Sequence, residues 1–134
     1  MINIYTVKWG YKYGPEYVNK LFEQCKEHIT GEFEFHCITE HEVGLNPEII
    51  IVPLPTDNYY EKWWNKLYLF DRHFIRKQGE KLFFDLDIDI QQNIDCIVEH
   101  DPEDKLTFIR THWHNLNKMK IDTKDIPHKY TDLN

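Results

Sequence analysis

The sequence predicts an α/β domain, a mostly parallel sheet flanked by helices. Short β-prone runs occur at residues 2–7, 32–39, 49–52 and 81–85, and helical patterns precede the second and the last of them. Glycine or proline punctuates most junctions. Strands that alternate with helical crossovers return in the same direction, and such sheets collect ligands at the carboxyl ends of their strands.

Taken in order, residues 2–7 form the first strand, which ends in the loop Lys8-Trp9-Gly10-Tyr11-Lys12-Tyr13-Gly14. Pro15 then starts a helix, where its missing N–H costs nothing. Val18, Leu21, Phe22, Cys25 and Ile29 share one helical stripe, and Gly31 stops it. Residues 32–39 make the second strand. Ile49-Ile50-Ile51-Val52 makes the third, its unbroken apolar run predicting burial on both faces before Pro53 and Pro55 end it. A second helix is predicted over 58–78, with Trp63, Leu67, Phe70 and Phe74 on its apolar stripe and Gly79 as its stop. Trp63 and Leu67 are read as core. The fourth strand is 81–85, a short helix is expected over 93–100 with Asp95 as its cap, and a further strand over 105–110. Residues 115–134 carry few large apolar side chains and no period, which predicts a surface tail or a segment ordered by a partner.

With 134 residues the chain is long enough for one well-packed core. A formal charge of −7 argues against a partner held mainly through nucleic-acid phosphates. It leaves room for a local basic pocket, because Lys8, Lys12, Lys62 and Lys66 lie among aromatic residues. Cys25, Cys37 and Cys96 form no CxxC pair, which fits a reducing cytoplasm with Cys25 and Cys37 in the core. No apolar run is long enough to predict a membrane span. His112-Trp113-His114 lacks a third ligand and reads as surface.

The chemistry concentrates in Leu82-Phe83-Phe84-Asp85-Leu86-Asp87-Ile88-Asp89-Ile90. If the strand stays extended, Asp85, Asp87 and Asp89 share one face. That face is either a solvated acidic surface or the holder of a hard cation. Oxygen-only ligands select Mg²⁺ or Mn²⁺ over zinc. A diphosphate cannot approach bare carboxylates, but a cation between them holds both and neutralises charge if the diphosphate departs.

Phe83-Phe84-Asp85-Leu86-Asp87-Ile88 resembles the DxD motif of nucleotide-sugar glycosyltransferases with the Rossmann-like GT-A fold. Trp63-Trp64-Asn65-Lys66-Leu67-Tyr68-Leu69-Phe70 resembles the helix before the motif strand in a bacterial and viral branch related to glycogenin-like retaining enzymes. Ile4-Tyr5-Thr6-Val7-Lys8-Trp9-Gly10 resembles the opening strand. Asn93-Ile94-Asp95 and Phe108-Ile109-Arg110 fit the downstream spacing. The resemblance spans residues 2–114, which implies a nucleotide-sugar-binding catalytic domain over 1–114 and a tail or minimal acceptor-side segment over 115–134.

It further implies transfer of a sugar from a UDP-sugar, UDP-glucose or UDP-galactose, to an acceptor hydroxyl with retention, and slow donor hydrolysis without acceptor. Mn²⁺ or Mg²⁺ would be the cofactor. Asp87 is then the firmest metal ligand, Asp85 a ligand or a ribose or sugar contact, and Asp89 an extra candidate where relatives carry an apolar residue. Thr6, Val7 and Lys8 would line the uridine pocket, with Tyr11 or Tyr13 stacked on the base and Leu86 beside the donor. Lys66 matches a donor-contacting lysine and joins Asp85 and Asp87 as a catalytic candidate. Relatives continue into an acceptor-binding region whose histidine often completes the metal site, and Asp125-Ile126-Pro127-His128-Lys129 does not match it. The acceptor side is therefore expected to be minimal, or to come from a second copy or a second subunit. The alternative expectation is a non-catalytic nucleotide-sugar-binding module or a subunit of a split glycosyltransferase. An Asp-nucleophile phosphatase also carries Asp-x-Asp after an apolar strand, but near its N-terminus with Gly or Thr close behind, and Ile88-Asp89-Ile90 fits that poorly.

Overall fold

Four parallel strands form one sheet in the order β3-β2-β1-β4. They belong to a computed structural model that describes residues 1–55, 57–58, 60–103 and 105–108. In chain order the elements are β1 (Ile2–Lys8), α1 (Pro15–His28), β2 (Phe33–Thr39), β3 (Ile50–Pro53), a 3₁₀ helix (Lys62–Phe70), β4 (Lys81–Phe83) and α2 (Asp95–Val98). This is the expected α/β arrangement with a parallel sheet.

β1 is central and buried along its whole length, so both of its faces must be covered. On one face Ile2, Ile4, Phe35 and Cys37 pack against Val18, Leu21, Phe22 and Cys25 of α1. On the other, Tyr5, Val7 and Ile38 pack against Ile75, with Leu69 and Phe74 beside them. The α1 stripe is buried as its spacing predicts, Ile29 included.

Three elements differ from expectation. Among the described residues β3 has only β2 as a neighbour, and Ile50 is 41% exposed instead of buried on both faces. The segment predicted as a long α-helix holds a 3₁₀ helix whose buried residues, Asn65 and Tyr68, are three apart. That three-residue repeat leaves Trp63 55% and Phe70 62% exposed, while Leu67 and Phe74 of the expected stripe stay half-buried. β4 stops at Phe83, because after Asn3↔Lys81, Ile4↔Leu82 and Tyr5↔Phe83 the chain leaves the ladder. Phe84 N still donates to Tyr5 O, and then Ile88 N closes a turn onto Asp85 O at 3.3 Å.

Asp95 is the first residue of α2 and does not cap it. Its carboxylate accepts from Thr30 N at 2.8 Å and Asn93 Nδ2 at 2.9 Å, fastening the exit of α1. The chain divides into two compact units, Met1–His100 and Asp101–Asn134. In the second, residues 105–108 form no strand, and Lys105 N closes a turn onto Pro102 O at 2.8 Å. The rest of the expected last strand, the boundary at 114, His112, His114 and His128 lie outside the described residues. Among the described residues no helix is long and apolar enough to cross a membrane.

Candidate functional site

The strand order creates a crevice. From β1 the chain steps through β2 to β3 on one side, and β4 then adds on the other side of β1. The strand order thus reverses between β1 and β4, and ligands gather at the carboxyl ends of strands that flank such a reversal. A cleft of ≈ 420 Å³ lies there.

Its first wall is Val7, Trp9, Lys12 and Tyr13 from β1 and the following loop. Gly10 bends that loop at φ 61°, a left-handed conformation natural to glycine. Gly10 is pinned on both sides, its N–H donating to the Glu40 carboxylate and its carbonyl accepting from Lys8 Nζ at 3.3 Å. Tyr13 meets Tyr17 edge-on at 4.9 Å, and Lys12 Nζ lies 5.4 Å from the Tyr13 ring.

Lys62 and Trp63, at the start of the 3₁₀ helix, make the second wall. The third is Phe83, Asp85, Leu86 and Asp87. Thr6 Oγ1 donates to Phe84 O at 2.8 Å and so anchors the aspartate turn to β1. Asp85 pairs with Lys66 Nζ at 3.7 Å, and that ammonium also lies 5.6 Å from the Phe83 ring. The cleft thus sets two carboxylates against lysines and aromatic faces.

No family model, curated protein or solved structure matches this chain. The functional reading therefore stands on the cleft itself.

Of the residues singled out from sequence, Val7, Tyr13, Asp85, Leu86 and Asp87 line the cleft. Leu86 is mainly a core residue, packed on the α1 side of the sheet. Lys66 reaches the site through Asp85. Thr6 is fully buried with its hydroxyl committed to Phe84, and Lys8 is buried with its ammonium turned to Gly10, so both support the cleft and do not line it. Tyr11 is 87% exposed and rests by His41 at 5.2 Å.

Asp89 is parted from the other two aspartates by the turn. It accepts from Gln24 and Gln91 and pairs with Lys20 at 3.2 Å. Those hydrogen bonds, from Gln24 first, and the Lys20 charge hold its carboxyl down at about 2. Its role is to bind the segment after β4 to α1.

Trp63 was expected in the core and instead presents its ring to the cleft. Lys12 and Lys62 of the expected basic pocket also line the cleft, and Trp9 and Trp63 are the lining residues that sequence reasoning did not place there. Their signal in the sequence is the adjacency of lysine and tryptophan in Lys8-Trp9 and Lys62-Trp63.

Among the described residues no group of three or more His, Cys, Asp or Glu side chains is placed to hold a metal ion. Asp85 and Asp87 alone fit the way Mg²⁺ and Mn²⁺ bind at phosphate sites, through one or two carboxylates with substrate oxygens completing the shell. The residues fit a cation that arrives with a diphosphate, and do not fit a closed all-protein cage.

Proposed function

We propose that the cleft is the donor site of a metal-dependent glycosyltransferase that takes a UDP-sugar, UDP-glucose or UDP-galactose, and passes the sugar to an acceptor hydroxyl. The observation that supports this most is the meeting of Asp85 and Asp87 with a lysine- and aromatic-lined wall at the carboxyl ends of β1 and β4. Nucleotide ligands need that combination: flat apolar surfaces for the base, cations for the phosphates and carboxylates for the accompanying Mg²⁺ or Mn²⁺.

In this reading Trp9 and Tyr13 offer stacking faces for the uracil, and the Val7 backbone borders the ribose. Lys12 and Lys62 attract the diphosphate into an otherwise acidic protein. Asp85 and Asp87 would hold the cation. When bound, the cation would supply charge neutralisation for the departing diphosphate. Lys66 gives up part of its pairing with Asp85 and turns its ammonium to the phosphates. The aromatic walls exclude water, so that an oriented acceptor hydroxyl outcompetes hydrolysis.

Thermal melting with UDP, in Mn²⁺ or in EDTA, tests the reading. Ligand at 100 times its Kd stabilises the native state by about 2.7 kcal/mol. A UDP shift that needs Mn²⁺ and disappears in Asp87→Ala supports the site, and equal shifts in EDTA reject it. Release of UDP from one UDP-sugar, accelerated by an acceptor, establishes transfer. Binding without release under any acceptor makes the chain a nucleotide-sugar-binding module.

A further inference from the structure

We propose that Asn65 is a positioning residue, which from inside the protein holds Lys62 in a left-handed conformation and so presents Lys62 and Trp63 together to the cleft. Its expression in ligand affinity rests on the nucleotide reading above; its expression in the geometry of the wall does not.

Lys62 has φ 53°, a conformation unfavourable to any residue with a Cβ. Among the described residues, Glu103 is the other non-glycine that adopts a positive φ. Such a backbone persists only where its surroundings over-determine it. Here the restraint is visible. Asn65 Nδ2 donates to Lys62 O at 2.6 Å, from a side chain that is 1% exposed. The other end of the carboxamide is fixed as well, since Asn58 Nδ2 donates to Asn65 Oδ1 at 2.7 Å. Asn58 is in turn held by Tyr68 OH, which donates to its Oδ1 at 2.7 Å. A carboxamide satisfied at both ends inside a protein is costly to displace, so the Lys62 carbonyl has a rigid anchor.

The consequence reaches the cleft. Adjacent side chains on a regular helix or strand do not face the same way. Lys62 and Trp63 nevertheless both line the cleft, and Lys62 Nζ lies 5.7 Å from the Trp63 ring. The left-handed residue at the start of the 3₁₀ helix brings these two consecutive side chains onto one wall. Asn65 thereby pre-orders an ammonium and an indole, groups suited to the phosphate and base of a nucleotide.

The test compares Lys62→Ala with Lys62→Gly, which both lack the ammonium and differ only in their tolerance of a positive φ. Two readouts apply: the fluorine line of Trp63 in 5-fluorotryptophan-labelled protein, assigned by its loss in Trp63→Phe, and the affinity for UDP with Mn²⁺. With Asn65 in place the line is expected at one position in the two variants, with UDP affinities within about twofold of each other. Asn65→Ala is expected to displace the line and weaken UDP about tenfold in the parent, but less than about twofold in the Lys62→Gly background. Different lines in Lys62→Ala and Lys62→Gly with Asn65 intact overturn the proposal, and so does a line unmoved by Asn65→Ala or an Asn65→Ala penalty undiminished by Lys62→Gly. Should Asn65→Ala fail to fold, Asn65→Leu, which keeps nearly the same volume and removes the donor, replaces it in both backgrounds. Should UDP not bind the parent protein, the nucleotide reading fails and the fluorine line decides the positioning role.

Discussion

Lys66 and Asp85 make a prediction with two opposite signs. Their charged atoms are 3.7 Å apart, and 38% and 56% of the respective side chains is exposed. A cation that comes to Asp85 must therefore compete with an ammonium already there. Two unit charges at this distance attract by about 1 kcal/mol in water, and double-mutant cycles on exposed pairs give roughly 0.2–1 kcal/mol. Lys66→Met keeps a stem to cover Phe83 and removes the charge. Affinity for Mn²⁺ alone should then rise between about 1.4- and 5-fold. Affinity for UDP in the presence of Mn²⁺ should fall, because the phosphates lose the same ammonium. Electron paramagnetic resonance of free Mn²⁺, titrated with and without UDP, reads both quantities, and Asp85→Asn serves as the control that lowers both. Changes of the same sign in Lys66→Met would refute the assignment of Asp85 and Lys66 to one metal–diphosphate site.

Three further outcomes follow from the structure. Phe35 is 2% exposed and Trp63 is 55% exposed, so Phe35→Ala should cost about 3–5 kcal/mol in urea unfolding. Trp63→Ala should cost clearly less and act mainly on UDP affinity. Asp89 has a native pKa of about 2, below its ordinary value of 3.8, so its contribution to stability is complete above pH 3.8 and is lost as pH falls toward 2. Asp89→Asn should flatten that part of the acid-unfolding profile, and an unchanged profile would contradict the Gln24–Lys20 anchorage. Burial pushes the Cys25 and Cys37 thiols up to about 12, whereas Cys96 is exposed. A thiol-specific reagent at neutral pH should label one cysteine rapidly in the native protein and the other two only on unfolding, as mass spectrometry of the labelled peptides would show.

What the sequence revealed and what it concealed have separate physical origins. α1 was legible because fourteen residues repeat one apolar stripe behind a proline, and a single buried face explains every large residue on it. The parallel order of the strands followed from the same alternation. The segment over 58–78 misled because its apolar residues fit a 3.6-residue period, while its 3₁₀ helix buries Asn65 and Tyr68. Asn58, Asn65 and Tyr68 bond to each other there, a preference no hydropathy pattern records. The aspartate row was half legible. Phe84 and Leu86 are buried beside exposed Asp85 and Asp87, but Ile88 is exposed together with Asp89, so the alternation of faces holds only as far as Asp87. The strand that was to carry it stops earlier, at Phe83, where the chain leaves the β1 ladder after three paired residues. Two aspartates reach the cleft and the third is taken by α1.

The brevity of β4 also governs how the cleft comes into being. The loop from β1 and the turn that bears Asp85 and Asp87 are joined by Thr6 and Phe84, 78 residues apart, whereas β1 meets β2 across the single crossover helix α1. Closing a longer loop costs more chain entropy, and distant pairings form later than local ones. The β1–α1–β2 core is thus the part that forms early, and the acidic wall docks onto it last. In the folded state the three-residue ladder is the part of that wall that frays first, at Phe83 and Phe84, while Leu86 and the Asp89 anchorage stay on α1. Amide hydrogen exchange would register this as early loss of protection at Phe83 and Phe84, ahead of Phe35 and Cys37.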